Sequence, residues 1–179
     1  MRSTLLKLSY GEYTSPLGKL YFALSSKGIC FLSWKSLNWQ DFQEVMEEKY
    51  YLEINNDTKI IEELVSELDS YFKRKSKKFK IKPDLKNVTP FQEKVLNTTY
   101  SIPFGQIWSY GELAAGSGYP DAHRAVGSTM RINPVPIVIP CHRVVKSDGS
   151  IGNFGGRMDL KKQLLMHEGI RVDENFKYK

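Results

Sequence analysis

The chain has 179 residues, of which 41% are hydrophobic and 26% are charged, a balance that is ordinary for a globular protein and argues against disorder. No apolar run is long enough to span a bilayer and the N-terminus has no apolar stretch of the signal-peptide kind, so we expect a cytoplasmic protein that does not contact membranes. The net charge of +6 permits a polyanionic partner but does not establish one.

The N-terminal part of the chain contains three short β-prone runs, at residues 5–13, 19–24 and 28–34. The residues between them have turn composition, which predicts an antiparallel sheet. In the second run Leu20, Phe22 and Leu24 alternate with Tyr21 and Ala23, so this strand should have one strongly apolar face. An amphipathic helix over residues 57–75 should cover that face.

A basic run follows that helix, with seven Lys or Arg residues in the ten positions 73–82. The run is compatible with a nucleic-acid contact. A charged helix end that leads into a solvated linker is the better interpretation, because the C-terminus of a helix favours cations.

Cysteine and histidine are too sparse for a metal site in the N-terminal part. Cys30 stands alone there, and all three histidines lie after residue 89. A tetrahedral Cys/His site cannot be assembled from one ligand, so we predict no metal, and we expect no cofactor. Cys30 and Cys141 should both be free thiols in a reducing cytoplasm.

The C-terminal part begins with a clear helix start, since Thr89, Pro90 and Gln92 form a capping-box pattern with proline at the first helical position. Ser109 and Glu112 repeat the pattern for a short second helix. Asp121 should cap a third helix that runs to about Ile132. The second and third helices around a glycine-containing turn are a candidate helix-turn-helix. The predicted fold is α/β (α+β), with an N-terminal α/β domain at residues 1–86 and a mainly helical domain at 87–179.

The stretch PVPIVIPCHRVV, residues 134–145, is the best candidate for chemistry. Three β-branched residues between prolines predict a stiff, extended segment that ends at Cys141. His142 and Arg143 place a base and a permanent charge beside the thiol, surroundings in which a thiolate becomes populated. A buried cysteine next to a surface His-Arg pair is the alternative.

From Thr89 onward the chain resembles the O6-alkylguanine-DNA alkyltransferases, which move the alkyl group of a damaged guanine onto their own cysteine. The resemblance lies in residues 102–114, 123–145 and 149–169, and PCHRV at residues 140–144 matches the active-site pentapeptide of that family. It implies single-turnover repair of O6-alkylguanine, mainly O6-methylguanine, in double-stranded DNA by a monomer.

The resemblance also implies roles for individual residues. Cys141 is the nucleophile, His142 accepts its proton through a water molecule, and Glu168 orients the histidine. Asn133 braces the turn that carries the cysteine, and Tyr110 bonds the flipped base and crowds its phosphate. Residues expected to line the substrate pocket are Tyr110, Met130, Val144, Phe154, Gly155 and Gly156. Relatives often have Tyr and Ser where this chain has Phe154 and Gly155, so the pocket should be wider here.

The third predicted helix carries small side chains, which suit close approach to a groove rather than base readout. In the family this helix lies in the minor groove, and the residue matching Arg124 fills the gap left by the flipped nucleotide. The residues expected to contact DNA are Arg124, Ala125, Gly127, Ser128, Thr129 and Arg131.

Other functional classes stay open at the level of sequence. A helix-turn-helix regulator, or a protein that senses alkyl damage without repairing it, would explain the helices but would not need PCHRV. A thiol hydrolase that uses cysteine and histidine would turn over repeatedly and would not need DNA.

Overall fold

A computed structural model describes residues 6–34, 40, 41, 44, 52–54, 57–86 and 88–179. The chain divides into two compact units, Met1–Lys86 and Asn87–Lys179, and each is described by itself. In the described part of the chain, no helix combines the length and the apolar character that crossing a membrane requires.

The first unit is built on a four-stranded sheet. Its strands are β1 (Leu6–Ser15), β2 (Gly18–Ser25), β3 (Gly28–Ser33) and β4 (Leu52–Ile54), in the order β3-β2-β1-β4. The three antiparallel strands were predicted, and this prediction is confirmed. Strand β4 pairs in parallel with β1 and was not predicted, because three residues are too few to show an alternating pattern.

The prediction of a single apolar face for β2 was too narrow. Leu20, Phe22 and Leu24 are at most 1% exposed, but Ala23 is also fully buried and Tyr21 is only 8% exposed. Both faces of this central strand are therefore covered.

Helix α1 (Thr58–Phe72) packs against β1 and buries Leu64, Leu68 and Tyr71. Asp57 caps it by accepting from the amides of Lys59 and Ile60. The helix ends three residues earlier than predicted. The whole basic run therefore lies in irregular chain after the helix, where the Glu67 carboxylate accepts from the amides of residues 80 and 81.

The second unit is mainly helical. Its elements are α2 (Pro90–Tyr100), β5 (Trp108–Ser109), α3 (Tyr110–Gly116), α4 (His123–Arg131), a 3-10 turn (Cys141–Arg143), β6 (Val144–Val145) and α5 (Met158–His167). Both predicted capping boxes are present, at the starts of α2 and α3. The predicted cap at Asp121 is wrong: α4 is preceded by Ala122, and no side chain caps it.

A short parallel pairing brings two parts of the second unit together. Trp108 pairs with Val144 and Ser109 with Val145, so β5 and β6 lie side by side. Because α3 starts directly after β5 and the cysteine turn directly precedes β6, the pairing holds Tyr110 near that turn.

The segment before the cysteine is not the extended strap that its β-branched residues predicted. It folds into a compact turn in which the Ile139 amide donates to the Val135 carbonyl at 2.9 Å, and Ile137 has a left-handed φ of 72°. A β-branched residue rarely adopts this conformation. Val135, Ile137 and Ile139 are each at most 1% exposed, and burying these side chains compensates the local strain.

Candidate active site

Cys141 opens the 3-10 turn and is 5% exposed. Its sulfur accepts a hydrogen bond from the Asn133 side-chain amide at 3.0 Å. The same amide nitrogen donates to the Ile139 carbonyl at 2.8 Å, and the Asn133 oxygen accepts from the Val135 amide at 3.1 Å. Asn133 therefore fixes both the preceding turn and the sulfur, and its bond to the sulfur favours the thiolate form.

The Glu168 carboxylate lies at the centre of a buried network at the end of α5. His142 Nε2 donates to its Oε1 at 2.8 Å. Arg143 binds both carboxylate oxygens, through Nε at 2.8 Å and Nη2 at 2.9 Å, and the Gly105 amide donates to Oε2 at 3.2 Å. Arg143 Nη1 also donates to the Ile102 carbonyl. Burial opposes ionisation of Glu168, but His142 and Arg143 together hold its pKa well below the ordinary value.

This geometry corrects one expectation from the sequence. Arg143 was expected to support the thiolate as a permanent charge beside it. Its guanidinium instead forms a bidentate ion pair with Glu168, so its charge is compensated within that pair.

His142 is fully buried and electrically neutral. Burial lowers its pKa, and the attraction of Glu168 offsets this only in part. Because Nε2 donates to Glu168, the tautomer that this bond requires leaves a lone pair on Nδ1. Nδ1 is itself buried and accepts no hydrogen bond from the described residues. Nδ1 of His142 is therefore available to accept a proton.

The resting thiol is protonated, contrary to the prediction of a populated thiolate. Burial raises the pKa of Cys141. The Asn133 bond, the charge of Lys161 and the amides of residues 141 and 142 act in the opposite direction without reversing the shift. Attack by this sulfur thus requires a base that removes its proton at the time of reaction.

Tyr110, the first residue of α3, lies between α4 and the glycine-rich loop of residues 152–156. A methyl group built at Gly152 would come 3.5 Å from its hydroxyl oxygen, and one built at Gly127 would come 3.9 Å from its ring. Burial, followed by the charge of Cys141, raises the pKa of Tyr110. The hydroxyl therefore stays protonated and is a hydrogen-bond donor within electrostatic reach of the sulfur.

Helix α4 presents only part of the predicted DNA-binding set to solvent. Arg124, Ala125, Ser128 and Arg131 are exposed, and Gly127 is partly exposed. Thr129 points inward: it is 2% exposed and its hydroxyl donates to the Ala125 carbonyl at 2.9 Å. We therefore remove Thr129 from the predicted contact surface. The prediction included Thr129 because its side chain is small, and size alone does not show which side of a helix a residue faces.

The loop of residues 152–156 is braced by one side chain. Asn153 Oδ1 accepts from the amides of Phe154 at 2.7 Å and Gly156 at 2.9 Å, so the Gly156 amide is already committed. Gly155 and Gly156 have left-handed φ values of 58° and 83°, and a methyl group at either would meet nothing within 4 Å. Phe154 is half-buried beside this open space.

Two other residues of the predicted pocket lie in the core. Met130 is 8% exposed, and its sulfur accepts from the Thr99 hydroxyl at 3.6 Å. Val144 is fully buried, and its polar contacts are made by the main chain: its carbonyl accepts from Lys161 and its amide donates to the Cys141 carbonyl. Both side chains are therefore part of the core of the second unit, and neither forms an exposed part of a pocket surface.

The other cysteine is unsuited to nucleophilic chemistry. Cys30 is a free thiol in β3 whose sulfur donates to the Ala23 carbonyl at 3.3 Å, and burial raises its pKa to about 12. Within the described ranges, no group of three or more His, Cys, Asp or Glu side chains could hold a metal ion.

Comparison with known proteins gives the same family for both units. Residues 90–170 match the family model for the DNA-binding domain of 6-O-methylguanine DNA methyltransferase, and residues 8–85 match that for its ribonuclease-like domain. The constitutive methylated-DNA–protein-cysteine methyltransferase of Bacillus subtilis is 34% identical over 92% of this chain and 98% of its own length. The chain belongs to this methyltransferase family.

Other members of the methyltransferase family match in part or in structure. The rat protein is 60% identical over 70 residues, and the matching region spans only 34% of the rat protein. The crystal structure of the Mycobacterium tuberculosis O6-methylguanine methyltransferase aligns with a TM-score of 0.77 at 29% identity, over 93% of this chain and 96% of that one. The M. tuberculosis OGT in complex with DNA aligns with a TM-score of 0.74 at 28% identity, over 92% of this chain and 93% of that one.

One residue of the candidate site was not predicted from the sequence. Lys161 of α5 is fully buried, and its ammonium donates to the Val144 carbonyl at 2.5 Å. The available signal was its position three and four residues before Leu164 and Leu165, which places it on the buried stripe of the helix. A lysine on such a stripe is usually assigned to the surface.

Proposed function

We propose that the protein repairs O6-alkylguanine, mainly O6-methylguanine, in double-stranded DNA by transferring the alkyl group to Cys141. The observation that carries this proposal is the buried pairing of a neutral His142 with an ionised Glu168 directly beside the cysteine. Two relatives support the proposal. The B. subtilis methyltransferase matches over nearly its full length, and the structure of the M. tuberculosis OGT was solved in complex with DNA.

The reaction begins with loss of the thiol proton. His142 Nδ1 accepts it, through a bridging water as in the family. The imidazolium that forms is stabilised by the Glu168 carboxylate at 2.8 Å. Because Glu168 is ionised beforehand, the field that stabilises this cation is already in place when the proton moves.

The sulfur then attacks the alkyl carbon in line with the bond to O6. One electron pair of sulfur forms the S–C bond, and the C–O6 bond breaks with its electrons remaining on the guanine. The protonated hydroxyl of Tyr110 and the main-chain amide of Gly155 would donate to this developing negative charge. A proton returned to the base completes the exchange and leaves an unmodified guanine.

The product on the protein is a thioether. A carbon bonded to sulfur in this way has no leaving group that water can readily displace. The proton relay formed by Cys141, His142 and Glu168 contains no second acceptor for the alkyl group. Each molecule should therefore react once, so the amount of DNA repaired is limited by the amount of protein.

Mass spectrometry of the intact protein after incubation with a duplex that contains O6-methylguanine tests this function. We expect one methyl group to be added per protein molecule and peptide mapping to place it on Cys141. Several moles of repaired guanine per mole of protein would contradict the single-turnover reaction and favour a hydrolase. Binding to the duplex without any added methyl group would favour a damage sensor.

We propose that the exposed side of α4 enters a DNA groove and that Arg124 occupies the space left by the flipped nucleotide. Its neighbours on the helix, Ala125, Gly127 and Ser128, have side chains small enough to let the backbone approach the DNA closely. Arg131 at the end of the helix adds a positive charge near the phosphates.

Replacing Arg124 with Ala should slow repair within a duplex by roughly tenfold or more, because holding a base outside the stack costs a few kcal/mol. Reaction with a free O6-benzylguanine base should change little, since no stack has to open. Arg171→Ala is the matched control, because Arg171 is an exposed arginine of the same unit that lies outside α4. Equal losses on both substrates would show that Arg124 serves folding or general charge.

We further propose that residues 87–179 carry DNA binding and alkyl transfer and that residues 1–86 have a structural role. The nucleophile, the base and the carboxylate all belong to the second unit, so one copy of the chain suffices and the protein should act as a monomer. A free thiol nucleophile needs a reducing compartment, which supports a location in the cytoplasm.

A further inference from the structure

Lys161 is a buried ammonium group that the proton relay does not use. It is fully buried on α5, and its one described hydrogen bond goes to a main-chain carbonyl, that of Val144. No described carboxylate forms an ion pair with it. Burying a lysine without an anion is costly, and lysines whose pKa is shifted by burial include catalytic ones.

We propose that Lys161 is the charge partner of the Cys141 thiolate, which it stabilises while the sulfur attacks the alkyl carbon. The inference rests on the proposed function, since it concerns the same nucleophile. Helix α5 then contributes to the site in two places. Glu168 at its C-terminal end stabilises the base His142, and Lys161 within the helix stabilises the nucleophile Cys141.

The local geometry fixes the ammonium beside the cysteine turn. Helix α5 packs against the 3-10 turn that begins with Cys141. The Val144 carbonyl that binds Lys161 belongs to the residue that closes this turn, and the Val144 amide donates to the Cys141 carbonyl. The ammonium is thus held against the turn by a main-chain contact, whatever the protonation state of the sulfur.

The other charged or titratable groups around the sulfur cannot take this role. Arg143, on the same turn, is paired with Glu168, which carries the compensating negative charge. His142 is held neutral by burial, and Tyr110, from α3, keeps its proton. Among the described residues of this cluster, Lys161 is left as the cation whose charge no carboxylate compensates.

The electrostatic coupling between the two groups acts in both directions. Burial lowers the pKa of Lys161 to about 8, and the charge of Cys141 opposes this shift. Conversely, Lys161 lowers the pKa of Cys141 against the effect of burial. Coupling of this kind is reciprocal, so removing the charge from one partner must move the titration of the other.

The direct test is the pH dependence of Cys141 ionisation in the Lys161→Met variant. The rate of alkylation by iodoacetamide is measured at each pH, and the product is quantified on the peptide that contains Cys141. Methionine fits the volume of the lysine stem but has no charge. We expect the midpoint to rise by about one pH unit or more, and the rate at neutral pH to fall roughly tenfold, because a nearby opposite charge shifts a pKa by about 1–3 units.

The matched control is Lys162→Met on the same helix, where the ammonium binds the Asp173 carbonyl at 2.7 Å. Its profile should match the wild type. An unchanged midpoint in a folded Lys161→Met protein would overturn the proposal. Because this assay uses neither DNA nor alkylguanine, its result is independent of whether the protein repairs DNA.

A second measurement covers the case in which Lys161→Met does not fold. In wild-type protein carrying 13C-labelled lysine, the Lys161 ε-carbon is titrated by NMR before and after methylation of Cys141 with iodomethane. The thioether cannot ionise at any pH, so Lys161 can no longer be stabilised by a thiolate that forms in the course of the titration. The Lys161 midpoint should therefore move to lower pH while that of Lys162 stays constant. A Lys161 midpoint that does not respond to methylation would refute the coupling.

Discussion

Replacing Cys141 with Ala should abolish alkyl transfer while leaving the protein folded and able to bind duplex DNA. No other group can take over the attack, because Cys30 is held inert by burial, which raises its pKa to about 12. The fold should tolerate the change, since Asn133 keeps its bonds to the Ile139 carbonyl and the Val135 amide when the sulfur is lost. Intact mass and duplex-binding measurements on the same sample would report both outcomes.

Cys30→Ala is the matched control for this variant. Cys30 is 2% exposed and packs in the first unit, so its truncation should lower the free energy of unfolding by about 1–2 kcal/mol through lost packing. Transfer to Cys141 should still reach one methyl group per molecule. If Cys141→Ala still acquired a methyl group from the duplex, the assignment of the nucleophile would be wrong.

The features that the sequence predicted well are those set by neighbouring residues. The capping boxes at Thr89 and Ser109 depend on side chains three residues apart, and both helices start where these patterns place them. The missing cap at Asp121 shows the limit of this reasoning. Helix α4 begins at His123, directly after Ala122, although a residue suited to capping stands one position earlier.

The features that the sequence did not predict depend on contacts far along the chain. Ile137 is left-handed because Asn133 closes the turn around it and the side chain of Ile137 is buried there, whereas its β-branched side chain by itself favours an extended strand. The residues of the relay could be named from PCHRV and the family resemblance. Which cation supports the sulfur could not be named, because Arg143 adjoins the cysteine in sequence but bonds Glu168, 25 residues away.

Glu168→Gln should destabilise the protein by about 3–5 kcal/mol at neutral pH, the usual cost of removing one partner from a buried ion pair. Glutamine preserves the size of the side chain and can still accept from His142, but it leaves the buried Arg143 guanidinium without a counter-charge. Urea unfolding would measure the loss. Glu174→Gln, which alters an exposed carboxylate of the same unit, should change the free energy of unfolding by less than about 0.5 kcal/mol.

The loss should depend on pH in a direction set by Glu168 itself. Its pKa in the folded protein is held below the ordinary value, so its contribution is fully present above the ordinary glutamate pKa of about 4.3 and decreases as pH falls toward the folded pKa. The stability difference between wild type and Glu168→Gln should therefore be largest near neutral pH and shrink on acidification. A difference that stayed constant between neutral and acidic pH would contradict an ionised Glu168 in the folded protein.

The same variant should change the pH dependence of alkyl transfer. Glu168 raises the pKa of His142 against the effect of burial, so without it the histidine becomes a weaker base. Transfer near neutral pH should slow and should recover as the pH rises to the point where the thiol ionises without help. Denaturant titration at each pH would show where the variant is folded, and transfer rates would be compared only at those pH values. An unchanged profile in folded Glu168→Gln would refute the role of His142 as the base. Lys161 would then be the main group that stabilises the thiolate, and the Lys161→Met titration would have to show a raised thiol midpoint.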